Sequence, residues 1–352
     1  MYEVIVDANK KVADTGDLLV GLGNSTLDNK GIVLQHKTET IYYESLSQYV
    51  YEREFKNLNS SQCCQRIFVE DFSVDTILSI WIFLHKKSNH DLPKNVLNWV
   101  NYACKWEKGD TTTTGKAFES YGCLQNALVL SMKNHLPLEI LTQSLAFLST
   151  LIRQKTDPAK IGKLTNNTTY RQAYESLEKE YQKYQSLLHD NEIVKLFIPH
   201  KESGEPIALS GIFIETEIIS SIQKVFLRND EEYSPTHNGF AFMAVHNAKA
   251  KGTGNDIVIS VDPLKNVDLK SLWCALEKEE NMLWGKSRPK DNPRSLKSYS
   301  HNNGPNEPWW DDMGKYTLIA SPKMIGNEYG RHVSWNRVKE LIKQLYAKGA
   351  QL

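Results

Sequence analysis

Arg66-Ile67-Phe68-Val69-Glu70-Asp71-Phe72-Ser73-Val74-Asp75-Thr76-Ile77-Leu78-Ser79 is the stretch that decides the fold. A short apolar run suited to a buried strand gives way to a turn of acids and serine. An apolar segment then continues to His85 and predicts a helix over 76–85. Strand, acidic turn and apolar helix together predict an α/β sheet with polar groups at the strand carboxyl ends, where such folds place ligands.

Two similar handovers lie upstream. The strand expected at residues 1–7 ends on Asp7, and Gly31-Ile32-Val33-Leu34-Gln35-His36 ends on a histidine. Residues 14–30, rich in Asp, Gly and Asn, are expected to be loop, with a helix at 42–55. Helices are predicted downstream at 94–106, 115–133, 138–154 and 170–188. The last places Tyr170, Tyr174, Leu177, Tyr181 and Tyr184 on one stripe, as in an amphipathic helix packing on one side. Near residue 191 the character changes to strand-like runs at 193–198, 207–213, 240–246 and 257–261, punctuated by Gly, Pro and Asn. Helices are expected at 217–228 and 269–283, then a long loop over 285–312, a strand at 315–320 and a helix at 334–348. The expected organisation is an α/β domain over 1–191, with a short, largely parallel sheet, followed by an α+β domain over 192–352.

A length of 352 residues exceeds the size at which one core usually keeps growing, which agrees with two domains. Apolar residues make up 40% and charged residues 24%, which excludes wholesale disorder. The 42 basic and 42 acidic side chains cancel, which argues against a general nucleic-acid coat protein. Five cysteines without a C-x-x-C pair point to reduced thiols, and the N-terminal residues lack a signal-peptide pattern. No apolar run is long enough to span a bilayer, so a cytoplasmic protein that avoids membranes is expected.

Four segments each carry a metal-ligand type where a strand hands over: Asp7, His36, the Glu70/Asp71/Asp75 group and Asp110. Carboxylates with one imidazole suit Mn²⁺ or Mg²⁺, and two such ions can clamp a phosphoryl displacement. These residue types also have plainer roles. Asp71, Ser73 and Asp75 are good N-caps for the helix near Thr76, and Asp14, Asp17 and Asp28 are ordinary turn residues. The loop brings Lys286, Arg288, Lys290, Arg294 and Lys297 together with His301, Trp309 and Trp310, a way of holding phosphates and stacking bases. Its plainer role is a solvated linker anchored to the core by its tryptophans.

Residues 1–115 resemble DHH-type phosphoesterases, on the strand, the Asp75-Thr76-Ile77-Leu78-Ser79 spacing and the helix of 66–79, with Leu34-Gln35-His36-Lys37, Asp7 and Gly109-Asp110-Thr111. Glu70 and Ser73 stand where the family carries histidine and aspartate, and the order of the motifs is rearranged. The resemblance implies a two-metal phosphoesterase or nuclease. Asp7, His36, Asp71, Asp75 and Asp110 would be ligands, Asp75 and His36 the catalytic centre, and Arg288, Arg294, His301, Trp309 and Trp310 would bind a nucleotide or short nucleic acid.

Trp309-Trp310-Asp311-Asp312, Tyr316–Pro322, Lys224–Asp230 and Gly239-Phe240 resemble uncharacterised modules of bacterial multi-component conflict systems. That resemblance implies antiviral defence and a protein partner. The alternative function is therefore a non-catalytic sensor or adaptor that binds a partner or a nucleotide signal, with the tyrosine stripe and Trp309/Trp310 as contact surfaces. The two functions separate on geometry. An enzyme draws the strand-end acids and His36 within a few ångströms of one another, whereas an adaptor is expected to bury them as caps.

Overall fold

A computed structural model of the chain describes residues 3–22, 30–35, 44–54, 65–110, 113–164, 166–216, 219–249, 256–284, 309–311, 316–322 and 331–347. They fall into two compact units, Met1–Tyr181 and Gln182–Leu352. The change of unit lies inside a helix, ten residues before the boundary expected from composition.

The first unit is built on strands β1 (Glu3–Val6), β2 (Asp17–Val20), β3 (Ile32–Leu34) and β4 (Arg66–Val69). They form a fully parallel four-stranded sheet of order β1-β4-β2-β3. β2 corrects the expectation of a loop over 14–30. Asp17-Leu18-Leu19-Val20 is buried along its whole length between β4 and β3, as a covered parallel strand should be. Asp17 is no turn residue either. It is 1% exposed, accepts from Arg66 Nε at 2.7 Å and the Asp14 amide at 3.0 Å, and lies 3.4 Å from Lys10 Nζ. Because Asp17 and Arg66 are register partners, this pair pins the amino ends of β2 and β4 together.

Six helices follow: α1 (Leu46–Glu52), α2 (Val74–Lys87), α3 (Val96–Glu107), α4 (Tyr121–Ser131), α5 (Pro137–Arg153) and α6 (Thr168–Asp190). α2 packs on α1, α3, α4, α5 and β2. That setting explains why every residue from Val74 to Phe83 is buried and why the helix reads as apolar all round. On α6, Tyr170, Leu177 and Tyr184 are buried, Tyr174 is half-buried and Tyr181 is exposed, so the stripe is largely a packing face.

The second unit carries β5 (Glu192–Pro199), β6 (Pro206–Glu215), β7 (Phe240–His246), β8 (Ile257–Val261), β9 (Trp310–Asp311) and β10 (Leu318–Ala320). They form one six-stranded sheet of order β5-β6-β7-β8-β10-β9. Only β6 and β7 pair in parallel, joined through α7 (Ser221–Arg228); the other pairs are antiparallel. α8 (Lys270–Trp284) and α9 (Trp335–Tyr346) pack on each other. Trp273, Trp309 and Trp335 join the aliphatic residues of the sheet in one core. Gly239, at the entry to β7, has φ +73°, and a Cβ there would collide with the carbonyl of Arg228, so the turn demands glycine. Among the described residues, no helix is long and apolar enough to cross a membrane.

Candidate functional site

Asp7, Asp71, Asp75 and Asp110 of the first unit each accept hydrogen bonds from described residues. Asp75 is 3% exposed, and its two carboxylate oxygens accept from the amides of Leu46 at 2.6 Å and Ser47 at 2.8 Å. Those are the first two amides of α1. Ser45 accepts from the third, on Gln48, at 3.1 Å. The fourth amide, of Tyr49, reaches the Ser45 carbonyl at 3.3 Å. Asp75 therefore completes the N-terminus of a seven-residue helix that has little stability of its own. Both of its oxygens thus serve buried backbone donors, the capping role rather than the metal-ligand role expected of it.

Asp71 Oδ1 accepts from the Ser73 amide at 2.9 Å and the Thr76 hydroxyl at 3.2 Å, while Ser73 itself caps α2. Asp7 accepts from the Asn9 amide at 2.9 Å. Asp110 closes a turn through the amide and hydroxyl of Thr113. His36 lies outside the described residues. Glu107, at the end of α3, is an acid that sequence reasoning missed. Burial of its carboxyl, then the charges of Asp75 and Asp71, push its pKa up to about 7. Among the described residues, no three His, Cys, Asp or Glu side chains are grouped closely enough to hold a metal ion.

Of the residues expected to bind substrate, Arg288, Arg294 and His301 lie outside the described residues. Trp309 is fully buried. Its amide donates to Glu277 at 2.5 Å and its indole N–H to Glu280 at 3.2 Å, while its carbonyl accepts from the Trp273 indole at 2.7 Å. A ring held this way has no face free for a base, so the expected stacking at Trp309 is corrected to a core anchor. Trp310 is half-buried in β9 and pairs with Ala320.

A different constellation lies on the helices of the first unit. The end of α2, the start of α3 and the end of α5 enclose a cleft of about 760 Å³ lined by Trp81, His85, Pro93, Lys94, Asn95, Ser149, Ile152, Arg153 and Lys155. His85 stacks on Trp81 with ring centroids 3.7 Å apart, and its Nδ1 lies 3.0 Å from the Trp81 carbonyl oxygen. The Trp81 indole donates to Ser149 at 2.8 Å, which fixes the pair against α5. Asn95 Nδ2 donates to the Ile152 carbonyl at 2.9 Å and ties α3 to α5. Lys94, Arg153 and Lys155 are exposed and form no ion pair with any described residue. His85 and Arg153 also sit in the last turns of α2 and α5, where the helix dipole favours positive charge. No carboxylate lines the cleft.

The second unit holds a polar knot at one end of its sheet. Arg331 Nε donates to Asp256 Oδ2 at 2.7 Å, and Ser321 Oγ donates to Asp256 Oδ1 at 2.8 Å. His246 lies 3.3 Å from Arg331 Nη2 through Nε2 and 3.6 Å from Glu215 through Nδ1, and it stacks on Trp335. Burial, then the Arg331 charge, hold its pKa below the ordinary histidine value. Charges of both signs balance within this knot, which suits packing of the sheet end.

No family model matches the chain, and neither a curated protein nor a solved structure matches it.

Proposed function

We propose that the chain is a non-catalytic binding protein of the sensor or adaptor kind, whose first unit takes an anionic, planar ligand of the nucleotide class. One observation carries this reading: three cations without ion-pair partners among the described residues converge with the His85–Trp81 stack on a single cleft that has no carboxylate in its lining. Arg153 can chelate phosphate oxygens through two N–H groups, with Lys94 and Lys155 as point charges beside it. The carbon-rich wall of Pro93, Ile152 and the aromatic pair suits the face of a base.

Hydrolysis is less well supported than binding. Asp7, Asp71, Asp75 and Asp110 already accept from backbone amides and hydroxyls, and Nδ1 of His85 already faces the Trp81 carbonyl. The resemblance of the second unit to modules of bacterial conflict systems fits a chain that reports ligand binding to a protein partner.

Thermal melting with AMP, ATP, GTP, inorganic phosphate or Mn²⁺ tests the proposal. A nucleotide that binds the native state raises the melting temperature saturably, by about 2.7 kcal/mol of stability at a hundred times its dissociation constant. Arg153→Glu is expected to remove that rise, and no nucleotide is expected to be turned over. Absence of a rise with every nucleotide, or an undiminished rise in Arg153→Glu, overturns the proposal.

A further inference from the structure

We infer that the ligand has two nucleoside units joined through phosphate, its second base an adenine held beside α3 and its linking phosphate at Lys155. The inference rests on the proposed nucleotide cleft and concerns the cavity next to it. That second cavity, of about 440 Å³, shares Asn95 and Lys155 with the first. Both volumes fall within the range of about 300–1,000 Å³ usual for small-molecule sites.

The two cavities differ in chemistry. The first is walled by carbon and cations; the second presents Asn95, Asn98 and Asn101, with Lys105 further along α3, and its lining also holds Thr156 and one carboxylate, Asp157, whose Oδ1 accepts from the Ala159 amide at 2.9 Å. The spacing of the three asparagines, at i, i+3 and i+6, keeps them on one side of α3. The side chains of Asn98 and Asn101 make no hydrogen bond to a described residue, so each keeps a donor and an acceptor side by side. That pairing matches the adjacent N6 donor and N7 acceptor of adenine.

The junction is marked by backbone strain. Lys155 has φ +55°, a left-handed conformation just past the Gln154 cap of α5, and its amide donates to the Ile152 carbonyl at 3.0 Å. Glycine is the unstrained residue for such a position, and a lysine there trades backbone ease for a side chain. Lys155 lines both cavities, where a phosphate linking two nucleosides would lie.

The test measures the affinity of the whole chain for AMP and for the linear dinucleotide pApA by calorimetry. pApA is expected to bind at least tenfold more tightly than AMP. The double variant Asn98→Leu/Asn101→Leu, at exposed positions, is expected to remove the preference for pApA over AMP. Lys155→Gln is expected to weaken both ligands. Equal affinity of the wild type for AMP and pApA, or a double variant that still prefers pApA, overturns the two-nucleoside inference and leaves the cleft standing. Failure of both ligands to bind the wild type overturns the cleft and the inference together.

Discussion

Replacing Asp75 by alanine separates a cap from a metal ligand. The side chain is buried and holds the first two amides of α1 through bonds of 2.6 and 2.8 Å. Hydrogen bonds to a charged acceptor are worth about 1.5–3 kcal/mol each, so losing both costs ~3–6 kcal/mol. In a unit of this size each kcal/mol lowers the melting temperature by about 2–4 °C, so a fall of at least ~6 °C is expected. Asp75→Asn keeps one acceptor oxygen and turns an N–H₂ group toward the other amide, so it should recover no more than about half of the loss. Differential scanning calorimetry of the three proteins, with and without Mn²⁺ and Mg²⁺, provides the readout. The variants should melt early in every buffer, and the wild type should not gain from either ion. If Asp75→Ala melts with the wild type in metal-free buffer and loses only a Mn²⁺-dependent rise, Asp75 is a metal ligand and the capping argument is refuted.

Trp309→Ala should cost about 3–5 kcal/mol of stability in chemical denaturation, because it empties a fully buried site and removes the indole donor to the buried Glu280. A base-stacking surface tryptophan would leave the midpoint unchanged. Gly239→Ala should cost at least ~1–3 kcal/mol, measured the same way, because its positive φ is disfavoured for alanine and its Cβ would meet the Arg228 carbonyl. The depressed His246 pKa makes the folded state bind protons less readily than the unfolded state. Its contribution is present above the ordinary histidine value of 6.5 and is lost as pH falls below it, so wild type minus His246→Gln should lose stability between pH 7 and 5. A difference that stays flat over that range would show that His246 does not titrate with unfolding. The raised Glu107 carboxyl has the opposite sign. It favours the fold below the usual glutamate value of 4.5 and loses that benefit as pH rises toward 7, so Glu107→Gln should be at least as stable as the wild type at pH 8 in thermal melts.

Arg66–Val69 and the helix after it were legible because apolar runs of different period meet at a turn of capping residues, and tertiary contacts reinforce that local preference. Phe240–His246 and Ile257–Val261 were legible for a similar reason, since β-branched and aromatic residues sit between Gly, Pro and Asn clusters. Asp17–Val20 was not. Four residues between glycines carry too little periodicity to stand out, and only burial on both faces by neighbouring strands makes them the inner strand. The capping character of Ser73, Asp71 and Asp75 could be read from residue type, but their partners could not. Asp75 reaches past its own helix to one that begins 29 residues earlier, which is a tertiary fact. The cleft is still less visible. Trp81, Lys94, Arg153 and Lys155 come from separate helix ends with no shared spacing, and each looks like an ordinary surface or core residue until the helices pack.

The hold of α8 on Trp309 has a consequence for how this chain can vary. The helix ends at Trp284, and Glu277 and Glu280 on its own length hold the chain again at Trp309. Trp284 and Trp309 thus belong to and are held by a single helix, so that β9 is set by this fastening point and the chain between them closes on one element. Doubling the length of such a closed span costs only about 0.6 kcal/mol in closure entropy. Changes of length or charge between Trp284 and Trp309 are therefore expected to leave β9 in place.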